Sequence, residues 1–152
     1  FRFTEADITE KGGSESQIPK KFSLLLRPKG WDENKLSAKM VVDEKDYSVD
    51  SHLVDYLKGR VAFDLEWNSK DQTFDRDLYA FRMFWEYNKI SVGVIVTRGV
   101  SMNDLFEKLG VKQKYGASTT WIGKLTPRLN AGRNGGCPVL VFGITPKLLS
   151  KI

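Results

Sequence analysis

Three acids carry the chemistry for which this sequence can be read: Asp55, Asp64 and Glu66. Asp64 and Glu66 stand one residue apart in VAFDLEWN, a stretch that alternates strictly. Val61, Phe63, Leu65 and Trp67 point one way; Ala62, Asp64, Glu66 and Asn68 point the other. Asp55 precedes Asp64 by nine residues, in a second short strand that begins at His52, with a turn at Lys58-Gly59 between the two. A two-residue turn sets Leu57 opposite Arg60 and makes Asp55 the diagonal neighbour of Asp64, about 7–8 Å away between backbones and on the same face. A three-residue turn sends Asp55 to the opposite face. Carboxylates this close repel unless a cation lies between them, and an all-oxygen cluster suits Mg2+. An ordinary solvated strand face with unconnected acids has the same spacing, so both readings stand at this point.

Elements on either side must hold those strands in place. Phe1 to Ser16 is polar and contains KGGSES, a loop or lead-in. Phe22, Leu25 and Leu26 predict a helix over Gln17 to Arg27, stopped by Pro28 and Gly30. Lys39 to Tyr47 reads as an edge strand with a turn at Asp43 to Asp46, and the acid-bearing hairpin follows. Phe74, Leu78, Phe81 and Trp85 recur at helical spacing and predict an amphipathic helix to Asn88, with the aromatic stripe as core. Ile90 to Val96 is apolar and β-branched throughout, the pattern of a strand covered on both faces. A short helix over Asn103 to Leu109, a second one carrying Ile122, Leu125 and Leu129 and shortened by Pro127, a buried strand over Pro138 to Ile144 and a terminal helix from Pro146 complete the chain. The order predicts one α/β domain over residues 1–152, with a mixed sheet flanked by helices.

Composition narrows the partners. The 152 residues carry 24 Lys+Arg against 19 Asp+Glu, a net charge of +5 that permits a polyanion without requiring one. One cysteine, Cys137, and one histidine, His52, exclude an internal disulfide and a zinc site built from His and Cys alone. Cys137, in GGCPVLV, reads as a structural side chain. No apolar run reaches the length of a membrane span and no signal peptide is visible, which makes a reduced cytoplasm the expected compartment. The chain opens on Phe1 without a Met, which leaves room for a missing N-terminal portion.

The predicted order is that of the αβββαβ core of the PD-(D/E)xK nucleases, and Asp55…Asp64-Leu65-Glu66 resembles their motif, with Glu66 where a Lys usually stands. VDYLKGRVAFDLEWNS, the Arg-bearing helix after it and VGVIVTRG are similar to the BglII-type restriction endonucleases. LRPKGWDEN resembles that family's Leu-x-Pro-Lys-x-Trp-x-x-Asn segment, which sets Asn34 where the family has an active-site Asn. The family's prototype carries Gln at the position of Glu66.

The resemblance implies a type II restriction endonuclease that hydrolyses double-stranded DNA with Mg2+ and acts as a homodimer on a palindromic site. Asp55, Asp64, Glu66 and the Leu65 carbonyl are then the expected metal ligands. Glu66 would position or deprotonate the attacking water, and Asn34 would orient it. Asn68, Ser69 and Lys70 leave the catalytic strand directly and stand where the family reads bases. Arg98 is expected to face phosphate or a base. Ser101 and Asn103 are further DNA-binding candidates, as readily helix caps. Lys114, Ser118, Thr119, Thr120, Lys124 and Arg128 mix charge with small polar groups as a phosphate-and-base surface does. Arg133 is a weaker candidate for a backbone clamp, and His52 is expected on the face opposite Asp55. Other functions are a repair or structure-selective nuclease, an inactive DNA-binding module on the same fold, or an α/β domain with no nucleic-acid partner.

Overall fold

A computed structural model of the chain describes residues 1–10, 15–49 and 51–150. Its elements are α1 (Glu5–Thr9), α2 (Gln17–Leu26), β1 (Asp32–Leu36), β2 (Lys39–Val42), β3 (Lys45–Ser48), β4 (His52–Lys58), β5 (Val61–Glu66), α3 (Thr73–Glu86), β6 (Val92–Arg98), α4 (Met102–Lys108), α5 (Ile122–Asn130) and β7 (Val139–Ile144). The main sheet has the order β1-β4-β5-β6-β7. Its first three strands are antiparallel and its last three parallel. Helix α2, strands β1, β4 and β5, helix α3 and strand β6 thus follow the expected αβββαβ sequence in a mixed α/β sheet.

Two cores flank the sheet. Phe63 and Leu65 of β5, with Trp67 just after it, pack with Phe22 of α2 on one side. Ala62 packs with Phe74, Leu78 and Phe81 of α3 on the other, as the alternation in β5 predicts. Strand β6 feeds both cores, through Val94 and Val96 on one side and Ile95 on the other. Gly93 has no side chain because the Phe81 ring lies where its Cβ would be, 2.2 Å from the nearest ring carbon.

Several expectations differ from the structure. The start of the chain is not all lead-in: α1 is closed by a capping box between Thr4 and Asp7, and Phe3 and Ile8 are fully buried. Part of KGGSES lies outside the described residues. The edge strand of the sheet is β1, not Lys39 to Tyr47. That segment instead folds back at Asp43-Glu44 into β2 and β3, a separate exposed ribbon. It breaks off because Asp43 and Glu44 both take positive φ, a two-residue hairpin turn. Strand β7 is open on one side, with Leu140 and Phe142 half exposed, because among the described residues no helix covers its end of the α2 face. Helix α5 continues through Pro127. The chain end at Pro146 forms a single 3-10 turn over Pro146–Leu148, followed by a bridge from Leu149 to Phe3.

Candidate active site

The β4–β5 hairpin is where the acids meet. Lys58 pairs with Val61, so the turn is Gly59-Arg60, with Gly59 at a φ of 56°. This register differs from the expected one by two residues and aligns Asp55 with Asp64, one step beyond the last regular pair, Tyr56 with Phe63. There the ladder gives way to side chains. The Asp55 amide donates to Asp64 Oδ1 at 2.9 Å, and the Leu65 amide donates to Asp55 Oδ2 at 2.8 Å. Each acid therefore caps the backbone of the opposite strand.

The three acids do not share one face of the sheet, as the alternation alone suggests. Pairing of β1 with β4 slips by one residue between Asp32↔Leu57 and Asn34↔Val54, a bulge that places an extra residue of β4 at Asp55-Tyr56. Val54 consequently faces the α3 core while Tyr56 faces the α2 core. Asp55 opens on the α2 side, in a cleft of about 210 Å3 that it shares with Ser23, Arg27, Glu33, Tyr56 and Leu65. Asp64 and Glu66 are buried on the α3 side. Both sides meet at the fork between the strands.

Behind the fork lie two residues to which the sequence drew little or no attention. His52 Nε2 is 3.1 Å from Asp64 Oδ2 and 3.9 Å from Asp77 Oδ1. One ligand atom from each of His52, Asp64 and Asp77 falls within 4.8 Å of the others, so the described residues include a buried group that could hold a metal. His52 thus joins Asp64, although the strand pattern assigned it no part in the site. Asp77 was legible only as a position on the buried face of α3, three residues after Phe74 and four before Phe81. Glu33, across the bulge, adds its negative charge to Asp55. Asn34 is exposed on β1, paired with Val54 and so next to Asp55 in β4.

The electrostatics reflect crowded acids. Burial, and then the charge of Asp64, push the Asp55 carboxyl up to about 6. Burial pushes Glu66 up to about 7, against hydrogen bonds from Ser69 and Asp77. Burial, and then the charges of Asp64 and Glu66, raise Asp77 further. Glu66 Oε2 and Asp77 Oδ2 are buried with no hydrogen-bond partner. An oxygen-rich cluster with orphaned oxygens and raised carboxyls fits a divalent cation.

The predicted DNA-binding residues separate into two sets. Asn68, Ser69, Lys70, Ser101 and Ser118 are exposed, and Asn103 is half-buried on α4. Ser101 makes no side-chain cap to α4, so capping does not account for it. Asn68 Nδ2 donates to the Lys114 carbonyl at 3.2 Å. The loop after β5 is stitched to 118–120 by Thr120 N to Ser69 O at 2.9 Å and Asp71 N to Ser118 O at 3.0 Å.

The other set is engaged within the fold. Arg98 is buried rather than facing solvent. Its Nε donates to the Thr120 carbonyl at 2.8 Å, its Nη1 to the Tyr115 carbonyl at 3.4 Å, and its Nη2 to the Thr119 hydroxyl. The Phe106 and Tyr115 rings flank its guanidinium at 5.5 and 5.3 Å. Thr120 is fully buried. Lys114 Nζ donates to the carbonyls of Ile8 and Glu10, closing the end of α1. Arg128 bonds Asp75 Oδ2 at 3.1 Å and lies 3.5 Å from Asp71, while Lys124 has only a 3.9 Å contact with Asp71. Arg133 also bonds Asp75. Cys137 is buried and free, and burial raises its thiol, as suits a structural side chain.

Among the described residues no helix is long and apolar enough to cross a membrane. Comparison with curated proteins finds no match. A family model described as restriction endonuclease BglII/BglIII matches residues 1–144, nearly the whole chain and every residue of the fork. The chain with this acid-capped hairpin therefore belongs to the BglII/BglIII restriction endonuclease family.

Proposed function

We propose that the protein is a type II restriction endonuclease: a Mg2+-dependent, sequence-specific hydrolase of phosphodiester bonds in double-stranded DNA, working as a homodimer on a palindromic site. The observation that carries this reading is the fork itself, where Asp55 and Asp64 approach each other across the opened ladder in a chain of this family. Asp55, Asp64 and the Leu65 carbonyl would hold the metal, with Glu66 at its edge. When bound, Mg2+ would lower the pKa of a bound water and relieve charge on the phosphate oxygens.

The remaining work falls to the chain's own groups. Glu66, raised to about 7, is tuned to accept a proton from the attacking water near neutral pH. Asn34, exposed beside the bulge, offers an amide that can orient that water from the open side. Asn68, Ser69 and Lys70 leave β5 within four residues of Glu66, so a base-reading loop and the scissile phosphate would share one rigid strand. Ser118, Lys124, Ser101 and Asn103 supply further groups for phosphate or base edges.

Incubation of the tag-free protein with plasmid DNA and Mg2+ tests the reading. Discrete fragments with uniform ends support it. Smearing or random nicking would move the protein to a structure-selective nuclease, and salt-sensitive binding without cutting to an inactive module.

A further inference from the structure

We propose that His52, Asp64 and Asp77 form a second metal site, buried behind the fork, that takes a transition metal such as Mn2+ and shares Asp64 with the Mg2+ site. The inference does not depend on the protein's being a nuclease.

Geometry is the first argument. Metal–ligand bonds of about 2.0–2.2 Å put neighbouring ligand atoms roughly 3.0–3.5 Å apart. The His52–Asp64 separation, 3.1 Å, falls within that spacing, and the His52–Asp77 separation, 3.9 Å, is slightly wider. Three different elements deliver the ligands: the start of β4, the middle of β5 and the second turn of α3. Asp64 spans the two sites because its oxygens diverge, Oδ1 toward the Asp55 amide and Oδ2 toward His52.

Unmet valence is the second. Asp77 is fully buried and its Oδ2 has no hydrogen-bond donor; Glu66, 5% exposed, has the same deficit at Oε2. The guanidinium nearest to Asp77 belongs to Arg76, 3.5 Å away on a side chain that is itself two-thirds exposed. Three buried carboxyls against one imidazole leave an excess of negative groups that a cation would offset.

The donor set then selects the ion. The Asp55 side of the fork offers only oxygens, which suits Mg2+. A histidine nitrogen beside two carboxylates favours first-row transition metals over Mg2+. Occupancy would fix the His52 ring and lock α3 to the fork, holding Asp64 for its role on the other side.

The chain has a single histidine, and this makes the test sharp. Electron spin-echo modulation of Mn2+ bound to the tag-free, metal-stripped protein should show an imidazole nitrogen, and that nitrogen can only be His52. His52→Gln should abolish the nitrogen signal and weaken Mn2+ binding at least about tenfold. Asp55→Asn should retain the signal while losing the Mg2+ site. Absence of the nitrogen modulation from Mn2+-loaded wild-type protein would overturn the proposal, with no variant needed. So would Mn2+ affinity unchanged by His52→Gln. Failure to cut any DNA would count against the nuclease reading and leave this one intact.

Discussion

Two clusters of buried charge lie at adjacent strand ends and are built in opposite ways. At the end of β6, Arg98 is enclosed with no carboxylate ion-pair partner among the described residues, and burial lowers its pKa to about 10. Each of its nitrogens nevertheless has an acceptor, and the stacked Phe106 and Tyr115 rings lie beside it. At the end of β5, Asp64, Glu66 and Asp77 are enclosed with one histidine, and two of their oxygens have no donor. The Arg98 guanidinium finds all its acceptors within the chain, although the buried Thr120 hydroxyl beside it has no partner, whereas in the acid cluster the carboxylate oxygens themselves are left short. A buried charge that is fully hydrogen-bonded does structural work, and one left short points to a ligand. Arg98 accordingly holds the 115–120 loop, and through Thr120 and Ser69 the loop after β5.

The largest expected effect separates the clusters by function. Asp64→Ala should lower the cleavage rate by at least about 10²-fold while DNA binding persists in a gel-shift assay. A variant that cuts at the wild-type rate would remove Asp64 from the mechanism. Arg98→Ala should do the reverse and act on the fold. It strips donors from the buried carbonyls of Thr120 and Tyr115, a loss of about 3 kcal/mol. For a chain of this length that lowers Tm on the order of 10 °C. A Tm equal to wild type would mean that the cation cluster is as dispensable as a surface pair.

A smaller effect follows from the raised acids. Asp55 at about 6 and Glu66 at about 7 bind protons more tightly in the folded chain than in the unfolded one. Above the ordinary carboxylate range the folded state therefore holds the extra protons, and stability falls as pH rises from about 4 through 7. Asp7 and Asp75, lowered by Lys21 and by Arg133 and Arg128 against their own burial, have the opposite sign, but their contribution is lost only below that window. Denaturant unfolding of metal-stripped protein should thus show lower stability at pH 8 than at pH 5, and Mg2+ should reduce the slope. A rise between those pH values would contradict the crowding of the fork. Smallest of all, Lys70→Ala should leave Tm unchanged and reduce the salt slope of DNA binding by about 1. An unchanged slope would take Lys70 off the phosphate surface.

Much of the architecture was legible from periodicity. The alternation in Val61 to Glu66, the aromatic stripe of α3 and the β-branched run of β6 each report burial on specific faces, and burial is what the sheet and its two cores express. The nine-residue interval likewise marked Asp55 and Asp64 as partners. Edge elements were harder to read. β1 carries the charged run DENK and owes its place to pairing with β4 rather than to any apolar face.

Residue types and spacing by themselves determined that two acids lie on neighbouring strands of one hairpin in an α/β sheet, because side-chain direction along a strand depends only on counting, and the register of the hairpin then decided that they meet. Which side of the sheet each acid faces was decided by a bulge opposite β1, and the company of His52 and Asp77 by the packing of α3. The fate of Arg98 was decided by a loop some twenty residues downstream. Those outcomes depend on contacts between segments distant in the chain, and no local pattern encodes them.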